Sequence, residues 1–183
     1  IDATMESITF VTSNAKKATE LSKFLGLPLQ RHNIDLPEFQ GMPTDVAVKK
    51  CELACELIDG LVLIEDSSLC FDAYGGLPGP YIKDFYSKIG NIGLVQMLAA
   101  FPNKTAHAKC IFALGKRGST PELFVGDIRG TIVPPRGAGF DWDPIFLPDG
   151  SAKTYAELGP RKIEISHRTK AAEKFYAWTK RLS

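Results

Sequence analysis

The stretch LVLIEDSSLCFDAYGGLPGPYIKDF, residues 61–85, joins an apolar run to two adjacent acids, a Gly/Pro-rich turn and a lysine. Leu61–Ile64 has the pattern of a buried strand. Glu65 and Asp66 are therefore expected at that strand's end, on the edge of a sheet. Carboxylates in such a place need a reason, because an unpaired charge is costly to desolvate. Two reasons compete: solvent exposure with a local cap, or a bound cation.

Outward from this stretch, strands and helices alternate. SITFVT, residues 7–12, is expected as a first strand. Asn14–Leu25 follows as a helix with Ala18, Leu21 and Leu25 on one face, stopped by Gly26-Leu27-Pro28. A short strand spans Leu29–Asn33. After the loop DLPEFQGMPTD, Thr44 is the expected cap of a helix running to about Ile58. Its apolar positions Ala47, Val48, Cys51, Ala54, Cys55 and Ile58 recur at the helical period, and Gly60 ends it. Downstream, Asn91–Phe101 is expected as a helix. AHAKCIFALGK and ELFVGDIRGTIV form an expected hairpin turning at Ser119-Thr120-Pro121. PPRGAGFDWDPIFLPDG is expected to be irregular. Ser166 caps a final helix with Ala171, Phe175, Trp178 and Leu182 on its face. This order points to an α/β protein with a mixed sheet, a single domain over residues 1–183.

The 183 residues suit one domain, or two lobes sharing a sheet. Hydrophobic residues make up 44% and charged residues 23%, enough apolar side chains for a full core. With 22 basic and 21 acidic residues the net charge is +1, so nothing draws the whole chain toward nucleic acid or membrane. Any anion site must be built locally. No apolar run approaches the ~20 residues of a membrane span, and no secretory signal is read, so a cytoplasmic setting is expected. In the start IDATMES, Met5 is the expected natural initiator, behind four added residues. The four cysteines, Cys51, Cys55, Cys70 and Cys110, form no CxxC pair and are expected as reduced thiols. Cys51 and Cys55 stand at a spacing open to metal, but both fall on the apolar stripe of their helix, which favours core packing.

The residues able to do chemistry are scattered. FVTSNAKK places a strand end before a helix start, where free N–H groups and the helix dipole favour phosphate. It is neither a Walker loop nor GxGxxG, having no glycine, and by itself it is better explained by a capped helix with surface lysines. Glu38, in LPEFQG, joins Glu65 and Asp66 as acids on separate loops. Mg²⁺ takes one or two carboxylates and then phosphate oxygens and water. Lys50 lies just off the apolar stripe of its helix. Lys83 follows GGLPGPYI, a rigid turn that would aim it. Lys162 precedes the last helix, and His167-Arg168 sit in its first turn, where the dipole disfavours cations. Phe140 and Trp142, in GFDWDP, have two readings of equal weight: semi-exposed rings able to stack on a planar ligand, or core filling under a long loop. Together these residues describe a cation held by acids, a lysine clamp on a polyphosphate and an aromatic slot for a base.

In order, FVTSNAKK, IDLPEFQG, KKCELA, EDSSLCFDAYGGLPGPYIKDF, PRGAGFDWDPIFLPDG, KTYAEL and ISHR resemble the inosine triphosphate pyrophosphatases. These enzymes hydrolyse aberrant purine nucleoside triphosphates. The likeness covers nearly the whole chain, and EDSSLCF resembles eukaryotic members, where bacterial ones carry a DDSGL-like string. The resemblance implies an elongated mixed β-sheet flanked by helices, in two lobes with a central cleft, usually a homodimer. It implies Mg²⁺-dependent cleavage of ITP, dITP or XTP between the α and β phosphates, with Mn²⁺ as a substitute ion. The products are the nucleoside monophosphate and pyrophosphate.

Carried over by position, Glu38 and Asp66 resemble the metal-binding acids, and Asp66 the catalytic one. Thr12, Ser13, Asn14, Ala15, Lys16 and Lys17 resemble the phosphate loop, with Lys17 the main contact. Lys50, Lys83 and Ser67 resemble further triphosphate contacts. Phe140, Asp141, Trp142, Asp143, Lys162, His167 and Arg168 resemble the nucleoside pocket. One departure stands out: the family often has FGWD where this chain has Phe140-Asp141-Trp142-Asp143. If the glycine adopts φ > 0, Asp is strained there, though less than most residues. Its charge opens the alternative of a pyrophosphatase preferring other modified nucleotides. A nucleotide-binding protein without catalysis is a second alternative, which would not need Glu38 and Asp66. Cleavage of the terminal phosphate is disfavoured by the lack of a Walker or kinase motif.

Overall fold

The computed structural model describes residues 7–26 and 29–181. The expected initiator at Met5, the helix stop at Leu27-Pro28 and the helical position Leu182 lie outside them. In chain order the strands are β1 (Ile8–Val11), β2 (Leu29–His32), β3 (Leu61–Phe71), β4 (Pro78–Gly79), β5 (Thr105–Gly115), β6 (Glu122–Ile132) and β7 (Phe146–Pro148). The helices are α1 (Ala15–Leu25), α2 (Pro43–Leu57), α3 (Ile82–Met97), α4 (Tyr155–Leu158) and α5 (His167–Thr179). Seven strands form one sheet in the order β2-β1-β3-β5-β6-β7, with β4 on β3. β1 runs parallel to β2 and β3, whereas β4 and β7 run antiparallel to their neighbours, so the sheet is mixed, as expected. Among the described residues no helix is long and apolar enough to cross a membrane.

The chain forms two compact units. The first holds residues up to Asp66, Ile111–Val125 and the chain from Ala171; the second holds Ser67–Cys110 and Gly126–Lys170. In the first, β1 is buried along its whole length, the mark of a central parallel strand covered on both faces. Its register sets Phe10 beside Leu63 and Val11 beside Ile64. α2 lays Ala47, Cys51, Ala54 and Cys55 on Val11, Val62 and Ile64. The two cysteines are therefore core residues, and the Cys51 thiol donates to the Ala113 carbonyl at 3.4 Å. Gly115 leaves room for them: a Cβ there would lie 3.1 and 3.2 Å from the two sulfurs. Phe175 of α5 packs on Phe112 and Phe124, with ring centroids 6.3 and 5.2 Å away. The second unit's core is built from Leu69, Phe71, Leu94, Leu98, Trp142, Phe146 and Tyr155, among others.

The structure departs from the sequence expectations in several places. β3 does not end at Glu65-Asp66; it continues to Phe71 with both acids inside it. The polar EDSS segment keeps the strand's alternation, and Leu69 and Phe71 beyond it are fully buried. Thr44 is not a cap. Met42 is the N-cap, without a side-chain hydrogen bond, and Pro43 fills the first turn, where its fixed φ suits a helix start. Val46 is fully buried, whereas Val48 is only half-buried. α3 begins at Ile82 rather than Asn91, because the backbone breaks at Gly90 (φ 62°, ψ −173°) and the expected helix is only its second half. Lys83 thus stands exposed in a helical first turn instead of on a rigid loop. The segment expected to be irregular contains the short strand β7.

β7 reaches β6 only because residue 130 has no side chain. A Cβ on Gly130 would lie 2.5 Å from the Leu147 carbonyl oxygen and 2.7 Å from the Phe146 ring. Gly130→Ala is expected to lower unfolding stability by about 1–3 kcal/mol through overpacking, read as a drop in the urea midpoint at unchanged slope.

Candidate active site

The turn after β1 is organised by its own side chains. Thr12 Oγ1 accepts the Asn14 N–H at 3.1 Å, and Asn14 Oδ1 accepts the Lys17 N–H at 3.3 Å. Asn14 thereby caps α1, as the sequence suggests. Ala15 is the first residue of α1 and is exposed; the side chain of Lys16 lies outside what the structure describes. Arg31 on β2 donates to the Ser13 carbonyl at 3.4 Å, bracing the turn from the neighbouring strand. The turn stands at the carboxyl end of β1, in a sheet whose first strands run in the order β2-β1-β3. Ligands of open α/β sheets gather at that position.

Strand alternation then sorts the two acids of β3. Asp66 shares a face with Val62 and Ile64, the face α2 covers, and Glu65 is delivered to the other. On its face Asp66 meets Lys50, whose Nζ lies 2.8 Å from Asp66 Oδ1 and 2.6 Å from Glu38 Oε2. On the other, Glu65 accepts from Lys17 Nζ at 3.0 Å, with the Glu65 side chain only 3% exposed. Sequence reasoning named all five residues but placed Glu65 beside Asp66 in one role. The signal that separates them is the period of two, which becomes readable once β3 is known to continue.

This group carries three carboxylates against two ammonium groups. Burial raises the Asp66 carboxyl above the usual carboxylate range; Lys50 opposes this, and the nearby Glu38 and Glu65 add to it. Burial by itself would lower the Lys50 ammonium, but Asp66 and Glu38 outweigh it and hold Lys50 above its ordinary value. The two directions have different leading causes, burial at Asp66 and the paired carboxylates at Lys50. Asp66 Oδ2 is buried and has no hydrogen-bond partner among the described residues. Among these residues no three His, Cys, Asp or Glu side chains form a closed metal cage. Two carboxylates, one of them with an uncommitted oxygen, would suit a hard cation such as Mg²⁺, which takes oxygen ligands.

The second unit assembles a different group. The Lys162 ammonium contacts both Asp143 oxygens, at 2.6 and 2.7 Å, and lies 4.9 Å above the Tyr155 ring. His167 is 5% exposed and stacks on Tyr155 at a 5.7 Å centroid distance, with Trp142 5.4 Å away. Of the two readings, core filling holds for Trp142, which is buried, whereas Phe140 is 70% exposed. Asp141 between them adopts φ 47°, the glycine-like conformation considered from its position in the motif. Ser166 Oγ accepts the Thr169 N–H at 3.1 Å and caps α5, with Arg168 half-buried in the first turn. Ser67 follows Asp66 on β3 and is half-buried. Tyr155 was not singled out from sequence. Its neighbours Thr154 and Glu157 form a capping box, a readable signal that fixes this helix start.

Comparison with known proteins completes the picture. The sequence profile of the Ham1 family matches residues 8–178. A Ham1 protein from Staphylococcus aureus is 22% identical, with a TM-score of 0.86 over 97% of this chain and 100% of that one, a likeness of fold. A HAM1 protein from Coxiella burnetii is 26% identical, with a TM-score of 0.88 over 97% of this chain and 100% of that one. A nucleoside-triphosphatase / dITP/XTP pyrophosphatase from Mycobacterium abscessus is 27% identical, with a TM-score of 0.78 over 91% of this chain and 97% of that one.

Asp143 provides a test of the electrostatics. Burial raises its carboxyl, and Lys162 offsets only part of that. With the folded value above the unfolded value of ~3.9, the stability tied to the neutral form is complete below that value. It is lost as pH rises through the folded one. Uncharged Asn cannot lose it. Asp143→Asn is thus expected to gain stability relative to the parent between about pH 4 and pH 7, measured by urea unfolding at both.

Proposed function

The chain belongs to the Ham1 family, and on that footing we propose that it hydrolyses aberrant purine nucleoside triphosphates, ITP, dITP and XTP, to the nucleoside monophosphate and pyrophosphate. The reading makes it a housekeeping enzyme of the nucleotide pool, working in the cytoplasm as a homodimer. The observation that carries it is Lys50 held between Glu38 and Asp66, with Asp66 Oδ2 buried and still uncommitted. The Mycobacterium abscessus protein is itself described as a dITP/XTP pyrophosphatase, which supports the substrate class.

Glu38 and Asp66 would hold Mg²⁺, which when bound supplies positive charge against the phosphate oxygens. The rest falls to the chain's own groups, since phosphoryl transfer asks a protein mainly to position and to neutralise. The Thr12–Lys17 turn offers backbone N–H groups, and Lys17 and Lys50 offer ammonium groups, to the β and γ phosphates. Holding that charge makes pyrophosphate the better leaving group. Lys83 and Ser67 are assigned lesser phosphate contacts. Asp66 orients a water for in-line attack on the α phosphate and takes its proton. Phe140 stacks on the base, while Asp143 holds Lys162 in place. His167 and Arg168 present donors to O6 of hypoxanthine or xanthine, where adenine would present a donor of its own. Such a mismatch is worth up to ~10⁴-fold in specificity.

Incubation with ITP and Mg²⁺ is expected to release pyrophosphate and IMP. Orthophosphate would indicate terminal cleavage instead, and no product would leave a binding protein without catalysis. Chelating the metal should abolish turnover. Asp66→Asn should lower kcat by about 10²-fold or more while circular dichroism stays native; near-normal turnover in that variant would remove Asp66 from the mechanism.

A further inference from the structure

α3 is interrupted at Gly90, where the backbone swings to φ 62°, ψ −173°, a conformation closed to most residues with a Cβ. Immediately after the break, Asn91 Nδ2 donates to the Asp141 backbone carbonyl at 3.0 Å. The opposite amide orientation would set two oxygens against each other, so the donor end is the one that faces the loop. Asn91 Oδ1 is buried and has no hydrogen-bond partner among the described residues. A buried acceptor left without a donor is a cost that an apolar side chain would avoid. What the amide contributes in return is its single tie to Asp141.

That tie reaches the strained point of the Phe140–Asp143 loop. Asp141 is the one non-glycine residue with positive φ among the described residues, at 47°. Beyond it the loop is well secured. The Asp143 N–H closes a turn on the Phe140 carbonyl at 3.0 Å, the Asp143 carboxylate is gripped by Lys162, and Trp142 is buried. Before it stands Phe140, 70% exposed. Relaxation of Asp141 toward ordinary φ would redirect the chain at Phe140, and the Asn91 hydrogen bond opposes that relaxation.

Resting on the nucleotide reading above, we propose that Asn91 is a positioning residue for base recognition: its amide anchors the Asp141 carbonyl and so presents the Phe140 ring for stacking on a purine. Its effect therefore belongs to the base and not to the phosphates. The preordered ring lowers the entropy lost when the base stacks, so the effect is read in KM rather than kcat.

The test compares the parent with Asn91→Ala and with Asn91→Asp, which keeps the shape but loses the donor. It serves if the alanine variant fails to fold. In either variant KM for ITP is expected to rise roughly 5- to 30-fold, the worth of one positioned hydrogen bond. kcat and the calorimetric affinity for tripolyphosphate, which has no base, are expected to stay unchanged. Amide hydrogen exchange across residues 139–143 is expected to quicken. An unchanged KM, a parallel loss of tripolyphosphate affinity, or unchanged exchange would each overturn the assignment. If the parent itself releases no pyrophosphate from ITP, the nucleotide reading fails separately. The exchange arm still decides whether Asn91 anchors the loop.

Discussion

One ammonium group between two carboxylates organises the first unit. Asp66 is buried in the middle of a strand, where an isolated carboxylate would be prohibitively costly to desolvate. Lys50 offsets that cost, and it reaches Asp66 because α2 lies on the same face of β3. Lys50 also meets Glu38, and Glu65 meets Lys17 on the other face of the strand. A pair evolved for stability alone is better replaced by apolar packing. A buried ion cluster just beyond the parallel pairing of β1 with β3 is better explained by what it receives than by what it stabilises.

The core and this cluster are one piece of engineering. Cys51, next to Lys50 on α2, is fully buried against Val62 and hydrogen-bonded to the Ala113 carbonyl. Because residues on a helix are set about 100° apart, seating Cys51 fixes the direction in which Lys50 can extend. Gly115 admits both thiols. Small, soft side chains here let the helix sit close to the sheet, and that closeness brings the ammonium within reach of Asp66. On the opposite face Glu65 does the same for Lys17, so a single strand aims two lysines in two directions.

The second unit shows a comparable division of labour along four residues. In Phe140-Asp141-Trp142-Asp143 the indole is committed to the core beside Tyr155 and His167, and Asp143 is committed to Lys162. Phe140 alone projects outward. The positive φ at Asp141 makes this division possible, because it turns the chain sharply between the two aromatic residues. The buried histidine at the start of α5 is likewise held by its aromatic surroundings, Tyr155 and Trp142.

Local pattern was enough to determine β1, α1, the body of α2, the β5–β6 hairpin and α5. Each is written in a period of two or 3.6 with its own stop and start signals, and neighbouring residues suffice to express them. The ordered motifs likewise announced the family, and the sequence named Lys17, Glu38, Lys50, Glu65 and Asp66, which the structure pairs. What the tertiary structure alone decided is direction and partnership. β3 continues through Glu65-Asp66 because its neighbours in the sheet and the burial of Leu69 and Phe71 support it, which no polar pair can reveal locally. Lys17 meets Glu65 across 48 positions and Lys50 meets Asp66 across 16, through the placement of helices on the faces of the sheet. Trp142 turns inward and Phe140 outward according to which of two similar rings the core can accept. Periodicity is a property of a segment, whereas pairing, burial and the sign of a local field belong to segments brought together, and those exist only in the folded chain.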